Sequence, residues 1–440
     1  GYHRMDPFLV SLASDTDLWM FVATGGGLTA GRVDAEGALF PYRTVDLLHD
    51  AHHHTGPLTL IRFADEAGGT VTWEPFRHDA GDCGIGERNL YKNAVGNRIV
   101  FEEVHPSGLA FRYAWEGCDA YGWVRTATLE NHGSRALRID LLDGLRNVLP
   151  WGAPLALYQQ SSNLVDAYKK SEIDPGSGIG IFSLTAGITD RAEAREVLRA
   201  NTVWCSGLEG HRAHLSPATV EAFRQGKVTP AGTVMNGARG NYFVTSTLDI
   251  EPEGAARWRL VADVGLDQGR IAALRKRIAG GDDLGARIAE GLHEATEDLR
   301  RIVASADGLQ MTGKAEAWSH HFSNVLFNNM RGGVFDRNHE LPVADLVDFL
   351  AVRDRKTAQR MGPTLAELPG QVTIAALRDI ARETGDADFE RLCHEYLPIY
   401  FGRRHGDPSR PWNKFEIKVR SEDGSRALHY AGNWRDIFQN

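Results

Sequence analysis

The last ten residues of the chain, 431–440, combine the kinds of side chain that bind sugars. They hold an aromatic ring beside a guanidinium, a carboxylate and two amides: Trp434, Arg435, Asp436, Gln439 and Asn440. Sugar-binding clefts place aromatic faces against the C–H faces of a pyranose and planar polar groups against its hydroxyls. The alternative is a helix start in which Trp434 and Phe438, four residues apart, lie in a core.

A second polar and aromatic stretch, 334–340, follows a glycine pair at 332–333. Arg331 comes just before the pair, and Asp336 lies inside the stretch. Binding residues are often carried on loops that a rigid scaffold positions, so we expect Arg331 and Asp336 to line a cleft beside a flexible break.

Carboxylates in the last third of the chain are candidates for a general acid. The candidates are Asp336, Glu340, Asp345, Asp348 and Asp436. A general acid must hold a proton near the working pH, which few carboxylates do. Most of the 58 acidic residues are expected to be solvated surface groups, and the sequence alone does not choose among the five.

Other motifs give weaker chemical signals. The sequence has no GxSxG, HExxH or P-loop motif, which disfavours a serine hydrolase, a zinc protease and an NTPase. Residues 25–30 match a loose dinucleotide fingerprint, but a turn follows instead of the required helix, so a glycine-rich strand connection is favoured. The histidines within 49–54 could bind a metal, but without a carboxylate-rich second shell a polar loop is the favoured interpretation.

Composition limits the partners. The net charge of -9 over 440 residues argues against nucleic acid and anionic membrane surfaces as partners. No apolar run approaches the length of a membrane span. The N-terminus lacks the apolar region of a signal peptide, so we expect a cytoplasmic protein.

Residue patterns divide the chain into a β-rich part and a helical part. From Leu18 to Asp263, short branched or aromatic runs alternate with turn residues, without helices between them, which predicts an antiparallel sandwich. The clearest predicted strands are 18–23, 58–63, 70–75, 98–104, 109–115, 122–129 and 258–263. An amphipathic helix pair broken at 280–281 follows over 269–306. Later predictions are helices within 318–330, 372–384 and 388–401, and a hairpin of 415–420 with 427–430.

This order of parts resembles the inverting glycoside phosphorylases of the cellobiose and chitobiose phosphorylase type and their hydrolase relatives. That family has a β-sandwich, a helical linker, an (α/α)6 barrel and a C-terminal jelly roll. The strands 99–104 and 122–138 are similar to its sandwich strands. Residues 434–440 resemble its aromatic-Arg-Asp-x-x-Gln-Asp signature, in which Arg and the closing Asp hold hydroxyls of the sugar in the cleaved position. Asn440 replaces that Asp, so the charge-assisted hydrogen bond would be lost.

The resemblance implies a multidomain β + α protein. It implies an antiparallel β-sandwich of the galactose-mutarotase sort over 1–265, a helical linker over 266–312, and the N-terminal part of an (α/α)6 barrel over 313–440. The 126 residues left after position 314 (440 − 314) are too few for twelve helices. We therefore expect the N-terminal portion of a longer enzyme, with its general acid beyond residue 440 and no activity in this chain alone.

The resulting prediction is a carbohydrate-active enzyme that cleaves or phosphorolyses a glycosidic bond in β-linked gluco-oligosaccharides with inversion. Its substrate-binding residues would be Trp434, Arg435, Asp436, Gln439, Asn440, Arg331 and Asp336. We expect no metal and no cofactor, with inorganic phosphate as co-substrate if the enzyme is a phosphorylase. The resemblance further implies an oligosaccharide substrate and a homodimer, and no nucleic-acid or membrane partner.

Two alternatives stay open. One is a non-catalytic carbohydrate-binding protein whose sandwich binds glycans through Trp73, Trp115 or Trp123. The other is a sugar epimerase with a sandwich of the mutarotase sort, whose reaction proceeds without net bond cleavage.

Overall fold

The chain forms two compact units in a computed structural model. The model describes residues 1–77, 86–189, 192–193, 195–227, 232–280, 283–310, 312–404, 406–410, 414–421 and 424–428. We call Gly1–Asp298 with Gly406–Phe415 the sandwich unit, and Leu299–His405 with Glu416–Asn440 the helical unit. The predicted sugar-binding residues Trp434, Arg435, Asp436, Gln439 and Asn440 lie outside the described residues.

The sandwich unit is built from antiparallel strands. Its strands are β1 (Leu9–Leu12), β2 (Leu18–Ala23), β3 (Leu28–Arg32), β4 (Ala38–Phe40), β5 (Gly56–Ala64), β6 (Thr70–Trp73), β7 (Glu87–Lys92), β8 (Ile99–Val104), β9 (Leu109–Cys118), β10 (Gly122–Asn131), β11 (Leu137–Val148), β12 (Lys169–Ile173), β13 (Gly180–Leu184), β14 (Arg199–Ser206), β15 (Arg212–His214), β16 (Val234–Asn236), β17 (Gly240–Ile250) and β18 (Ala255–Asp267). The predicted strands all fall on or overlap these elements, and 18–23 coincides with β2.

Within the described residues these strands form three sheets. Their orders are β1-β2-β3-β4, β16-β12-β13-β14-β18-β10-β9-β8-β7 and β15-β17-β11-β5-β6. The longest pairings, of β10 with β9 and β18 and of β11 with β5 and β17, are antiparallel. Inward-facing residues of all three sheets share one hydrophobic core. The large antiparallel β-sandwich is therefore confirmed.

A buried ion pair links the two larger sheets across this core. Arg125 on β10 donates from Nη1 to both carboxylate oxygens of Asp143 on β11, at 2.8 and 2.6 Å, and neither side chain is exposed. Thr59 on β5 donates to Asp143 Oδ1 at 2.7 Å, and Trp258 Nε1 on β18 donates to Oδ2 at 2.6 Å. We call these four residues the core polar network. It is tolerated in an apolar core because both carboxylate oxygens accept hydrogen bonds.

Helices also occur in the sandwich unit, where the sequence predicts none between the strands. They are α1 (Val45–Asp50), α2 (Leu155–Gln160), α3 (Ser162–Tyr168) and α4 (Ala218–Arg224), with a 3₁₀ helix at Ala51–His53. Each is short, so its residues do not repeat an apolar position often enough to give a helical period. The prediction of a helix-free sandwich is wrong in this respect.

The predicted helix pair is present as α5 (Gln268–Ala279) and α6 (Leu284–Ala304). Asp267 caps α5 by accepting from the Arg270 backbone N–H at 2.8 Å. Leu274 of α5 and Ile288 and Leu292 of α6 pack in one cluster with Trp204 and Val261 of the sandwich. The apolar stripe therefore lies against the sheet, as the sequence indicates.

The helical unit is an assembly of short helices and two-residue or three-residue strands. Its elements are α7 (Ala315–Gly332), β19 (Val334–Phe335), β20 (Glu340–Pro342), α8 (Val343–Arg353), α9 (Arg355–Ala366), β21 (Gln371–Thr373), α10 (Ile374–Thr384), α11 (Ala387–Glu395) and β22 (Ile399–Tyr400). Residues from α8 to α11 share one hydrophobic cluster, which includes Leu346, Leu377 and Phe389. These helices confirm a helical region after the sandwich.

Two helix predictions for this unit need correction. The helix predicted over 388–401 ends at Glu395, because Pro398 restricts the residue before it and a strand, β22, follows. The helix predicted over 372–384 begins only at Ile374, after the strand β21. Of the predicted hairpin, the described residues show a bridge between Arg420 and Arg426.

The predicted flexible break at 331–333 is a closely packed turn. Gly333 adopts a positive φ of 77° and donates its N–H to Asn329 O at 2.7 Å. A Cβ at this position would collide with Ile399 Cγ2 and lie 2.9 Å from Tyr400 O. Only glycine fits this junction between α7 and β19.

Loss of Asp143 is expected to destabilise the sandwich unit. Asp143→Ala leaves the Arg125 charge buried without its partner, which costs about 3–5 kcal/mol. The free energy of unfolding from urea titration measures this. Asp140→Ala, three residues earlier on β11 with an exposed hydrogen bond from Thr247, is the control and should change it by less than about 1 kcal/mol. Equal effects of the two variants would contradict a structural role for the network.

Two glycine substitutions in the helical unit should have opposite signs. Gly333→Ala should destabilise the unit by about 1–3 kcal/mol, through strain and collision. Gly370→Ala should stabilise it by about 0.4–1 kcal/mol, because Gly370 does not adopt a positive φ and has nothing within 4 Å of the added Cβ, so the substitution mainly restricts the unfolded chain. Thermal unfolding followed by circular dichroism tests both. A neutral Gly333→Ala would show that the junction is loose.

Candidate functional site

The end of α7 and the stretch after it carry the two predicted site residues that the structure describes. Arg331 lies in the last turn of α7, and its guanidinium carbon is 4.6 Å from the centroid of the Phe327 ring. A cation in this position is favoured by the helix dipole. The stacking lies within one helix, so it fixes the direction of the Arg331 side chain along α7.

Asp336 is positioned by a small antiparallel sheet. Val334 and Phe335 of β19 pair with Tyr400 and Ile399 of β22. The Asp336 backbone N–H then donates to Pro398 O at 2.9 Å and extends this contact by one residue. A 3₁₀ helix, Asp336–His339, begins here.

The Asp336 carboxylate is buried and paired. Its Oδ1 lies 2.8 Å from Arg426 Nη1, and its Oδ2 lies 3.7 Å from Arg337 Nε. Only 4% of the Asp336 side chain is exposed, against 53% of Arg426, so the charge pair is open to solvent on one side only. The Arg426 guanidinium also stacks over the Tyr400 ring at 4.8 Å. This geometry holds the buried carboxylate and the half-exposed guanidinium in a fixed orientation.

Asp345 is the acidic candidate whose proton affinity is altered most clearly. It lies in the first turn of α8, half-buried, and the Tyr396 phenol at the end of α11 donates a hydrogen bond to its Oδ2. Burial raises the pKa of the Asp345 carboxyl, the hydrogen bond from Tyr396 opposes this, and the charges of Asp348 and Asp336 add to the rise. A carboxyl with a raised pKa retains its proton to higher pH, which is the property of a general acid.

The backbone around these groups is strained. Arg337 and His339 adopt positive φ values of 48° and 71°, and Phe401, next to β22, adopts 71°. The His339 ring lies 4.4 Å from the Phe335 ring. Non-glycine residues in the left-handed region cost about 1–3 kcal/mol each and are concentrated at functional sites.

We call Asp336, Asp345, Tyr396 and Arg426 the carboxylate cluster. The sequence singled out Asp336 and proposed Asp345 among five acids, but it missed Tyr396 and Arg426. The sequence placed Tyr396 in an apolar helical pattern, which indicates a buried ring. Because a buried tyrosine hydroxyl normally has a polar partner, this pattern was the available signal for a contact between Tyr396 and a polar group. No sequence signal joined Arg426 to Asp336, ninety residues earlier.

The tryptophans proposed as an alternative glycan surface are not available for that role. Trp115 and Trp123 are fully buried and Trp73 is 6% exposed, and all three belong to the sandwich core. The prediction that their rings bind glycans on the sandwich is therefore wrong.

Part of the helical unit matches a known protein family. Residues 335–398 match the model of the glycoside hydrolase family 149 insertion domain 1, a segment that contains Asp336, Asp345 and Tyr396. No curated protein matches the sequence. The match supports a carbohydrate-active enzyme of the glycoside hydrolase and phosphorylase class. The cellobiose and chitobiose phosphorylase type, and the (α/α)6 barrel, stay predictions.

Solved structures with similar folds have low similarity scores. A human-microbiome protein described as a kojibiose phosphorylase aligns over 77% of this chain at 8% identity and a TM-score of 0.27. The chain spans 32% of that protein's length. The GalM/aldose epimerase homologue from C. elegans aligns over 59% of this chain and 99% of its own, at 9% identity and a TM-score of 0.33. A galactose mutarotase-like protein from Lactobacillus casei aligns over 58% of this chain and 100% of its own, at 8% identity and a TM-score of 0.31.

The part of the chain that the structure describes contains no candidate membrane-spanning helix. None of the helices there combines the length and the apolar character needed to cross a bilayer.

The pKa of Asp345 provides a test of the carboxylate cluster. Carbonyl ¹³C NMR should give a pKa for Asp345 above its ordinary value of 3.8, and Tyr396→Phe should raise it further, because the phenol stabilises the carboxylate. Asp354, whose pKa is lowered by its hydrogen bond from Thr357, serves as the internal control and should not move. Since the folded pKa of Asp345 is raised, its contribution to stability is greatest below pH 3.8 and is lost as pH rises through that pKa. A fall in the Asp345 pKa in Tyr396→Phe would contradict the assigned hydrogen bond.

Proposed function

We propose that the chain is part of a carbohydrate-active enzyme that cleaves or phosphorolyses a glycosidic bond in β-linked gluco-oligosaccharides with inversion. The observation that carries this proposal is the match of residues 335–398 to an insertion domain of a glycoside hydrolase family. The order of a β-sandwich followed by helices agrees with it. The resemblance of residues 434–440 to a sugar-binding signature supplies the substrate class.

The reaction requires two groups on opposite faces of the sugar. A carboxylic acid protonates the glycosidic oxygen while phosphate, or a water activated by a base, attacks the anomeric carbon from the other side. The bond from the anomeric carbon to the leaving oxygen breaks as the bond to the attacking oxygen forms. In this proposal the acid lies beyond residue 440, and inorganic phosphate, if it is used, is a co-substrate.

The residues of this chain would bind and orient the substrate. Arg435 and Asp436 would hold hydroxyls of the reacting sugar, Trp434 would stack on its ring, and Gln439 and Asn440 would complete the polar contacts. Asp336, held by Arg426, and Arg331 would line the cleft further out. Asp345 is the alternative proton donor, because burial raises the pKa of its carboxyl.

The product anomer tests the proposal. The enzyme expressed from the complete reading frame is incubated with β-1,2-, β-1,3- and β-1,4-linked glucose disaccharides, with and without phosphate. Inversion requires that ¹H NMR first detects α-glucose 1-phosphate, or α-glucose in a hydrolysis. A β-anomer as the first product would contradict inversion, and no cleavage of any substrate would contradict the function.

Two variants locate the chemistry within the complete enzyme. Arg435→Ala should lower kcat/KM by about 10–100-fold, since hydrogen bonds from a charged group contribute about 1.5–3 kcal/mol. Arg138→Ala, at an exposed position of β11, is the matched control and should change kcat/KM by less than about twofold. The chain 1–440 alone should give no turnover. If the chain 1–440 does turn over substrate and Asp345→Asn abolishes this turnover, the general acid is Asp345 and does not lie beyond residue 440.

A further inference from the structure

The sandwich unit contains a cavity that the proposed function does not use. It has a volume of about 380 Å³, which is within the range of small-molecule sites. Arg125 of β10, Arg146 of β11, Thr59 of β5 and Tyr113 of β9 contribute to its wall. His52 and His53, from the histidine-rich stretch that the sequence analysis left as a polar loop, also line it.

Arg125 lies behind the cavity surface and has one N–H without an acceptor among the described residues. Its Nη1 is satisfied by Asp143, and its Nη2 donates to Thr59 Oγ1 at 3.1 Å. The side chain is fully buried, and among the described residues its Nε has no hydrogen-bond partner. The Tyr113 ring lies against the guanidinium at 4.4 Å and fixes its plane. Arg125 therefore contributes fixed positive charge close to the cavity, part of which Asp143 balances.

Arg146 adds a positive charge that no described carboxylate pairs with. Its Nη1 donates to His53 O at 2.9 Å, and its Nη2 donates to His52 O at 2.6 Å and Pro57 O at 3.1 Å. Its Nε is buried and, within the described ranges, has no partner. Carbonyl groups hold the side chain in place, and the charge of Glu74 offsets only part of its positive charge while that of Arg224 adds to it. Burial lowers the pKa of Arg146 to about 10, so the group is charged at neutral pH.

The single acidic side chain on the described wall is already engaged. Glu74 Oε2 lies 2.7 Å from Arg224 Nη2, and both residues line the cavity. The centroids of the His52 and His53 rings are 3.9 Å apart, with the ring planes tilted by 41°. The wall therefore combines four arginines with one glutamate and two histidines in one concave, partly aromatic site.

We propose that this cavity binds a monosaccharide-sized ligand that carries an oxyanion, either a phosphate ester or a carboxylate. Arginine is suited to both groups because its planar guanidinium donates several hydrogen bonds in a fixed geometry. The volume admits a sugar ring in addition to the anionic group. The proposal stands independently of the glycosidic cleavage, because it concerns binding in the sandwich unit alone.

Calorimetry on the chain 1–440 tests the site with three probes at equal ionic strength: glucose 1-phosphate, glucuronate and glucose. At least one anionic probe should bind ten or more times more tightly than glucose. Preference for glucose 1-phosphate assigns a phosphate ester and preference for glucuronate assigns a carboxylate. Equal affinity for glucose, or no binding of either anion at millimolar concentration, overturns the proposal.

Variants separate the site from general electrostatics. Arg146→Gln should weaken binding of the preferred anion at least tenfold, whereas Arg138→Gln, an exposed arginine on the same strand, should leave it within about twofold. Arg146→Lys retains the charge but lacks the planar guanidinium and should fall between them, which would also exclude misfolding as the cause. Circular dichroism confirms that each variant is folded. Unchanged affinity in Arg146→Gln overturns the assignment, and because no turnover is measured, this outcome is independent of the proposed enzyme function.

Discussion

The charge pair between Arg125 and Asp143 is the constraint on which the sandwich depends. It joins strands of the two larger sheets across an otherwise apolar core, and Thr59 and Trp258 complete the hydrogen bonds of the carboxylate. Two ions in such a core are costly unless they are matched in position, so the network fixes how β10 faces β11. The same arginine then contributes to the cavity wall. The proposed anion site and the structural core therefore share one side chain.

The carboxylate cluster in the helical unit, in contrast to the fully buried pair of Arg125 and Asp143, is partly exposed to solvent. Asp336 is buried but its partner Arg426 is half-exposed, and Asp345 is only half-buried. Groups of this kind can exchange partners with a ligand at lower cost than a fully buried pair, because part of their hydration is retained. The strained residues Arg337 and His339 beside them show that local packing enforces this arrangement against the backbone's own preference.

The sequence predicted the regular parts of the fold because periodicity is a local property. Short runs of branched and aromatic residues placed β2 and β8 closely, and the spacing of Leu274, Ile288 and Leu292 predicted the helix pair. The helices α8 and α9 were missed, since α9 contains Pro363 and Gly362 and gives a weak helical pattern. The site was harder to predict, because Asp345 and Tyr396 meet across 51 positions and Asp336 and Arg426 across 90. Such contacts depend on the tertiary fold, which no window of sequence contains. The terminal motif from Trp434 to Asn440 stays a prediction.

The pairing of β19 with β22 has a consequence for how this protein is assembled. Val334 and Tyr400 are direct partners in the ladder, so the two ends of the segment between them lie side by side. The family match, 335–398, lies entirely within this interval. A segment with adjacent ends can be gained, lost or replaced by a short turn without a change in the path of the flanking chain. Residues 335–398 therefore have the geometry of a detachable module with its own hydrophobic cluster, joined to the flanking chain by the ion pair of Asp336 with Arg426.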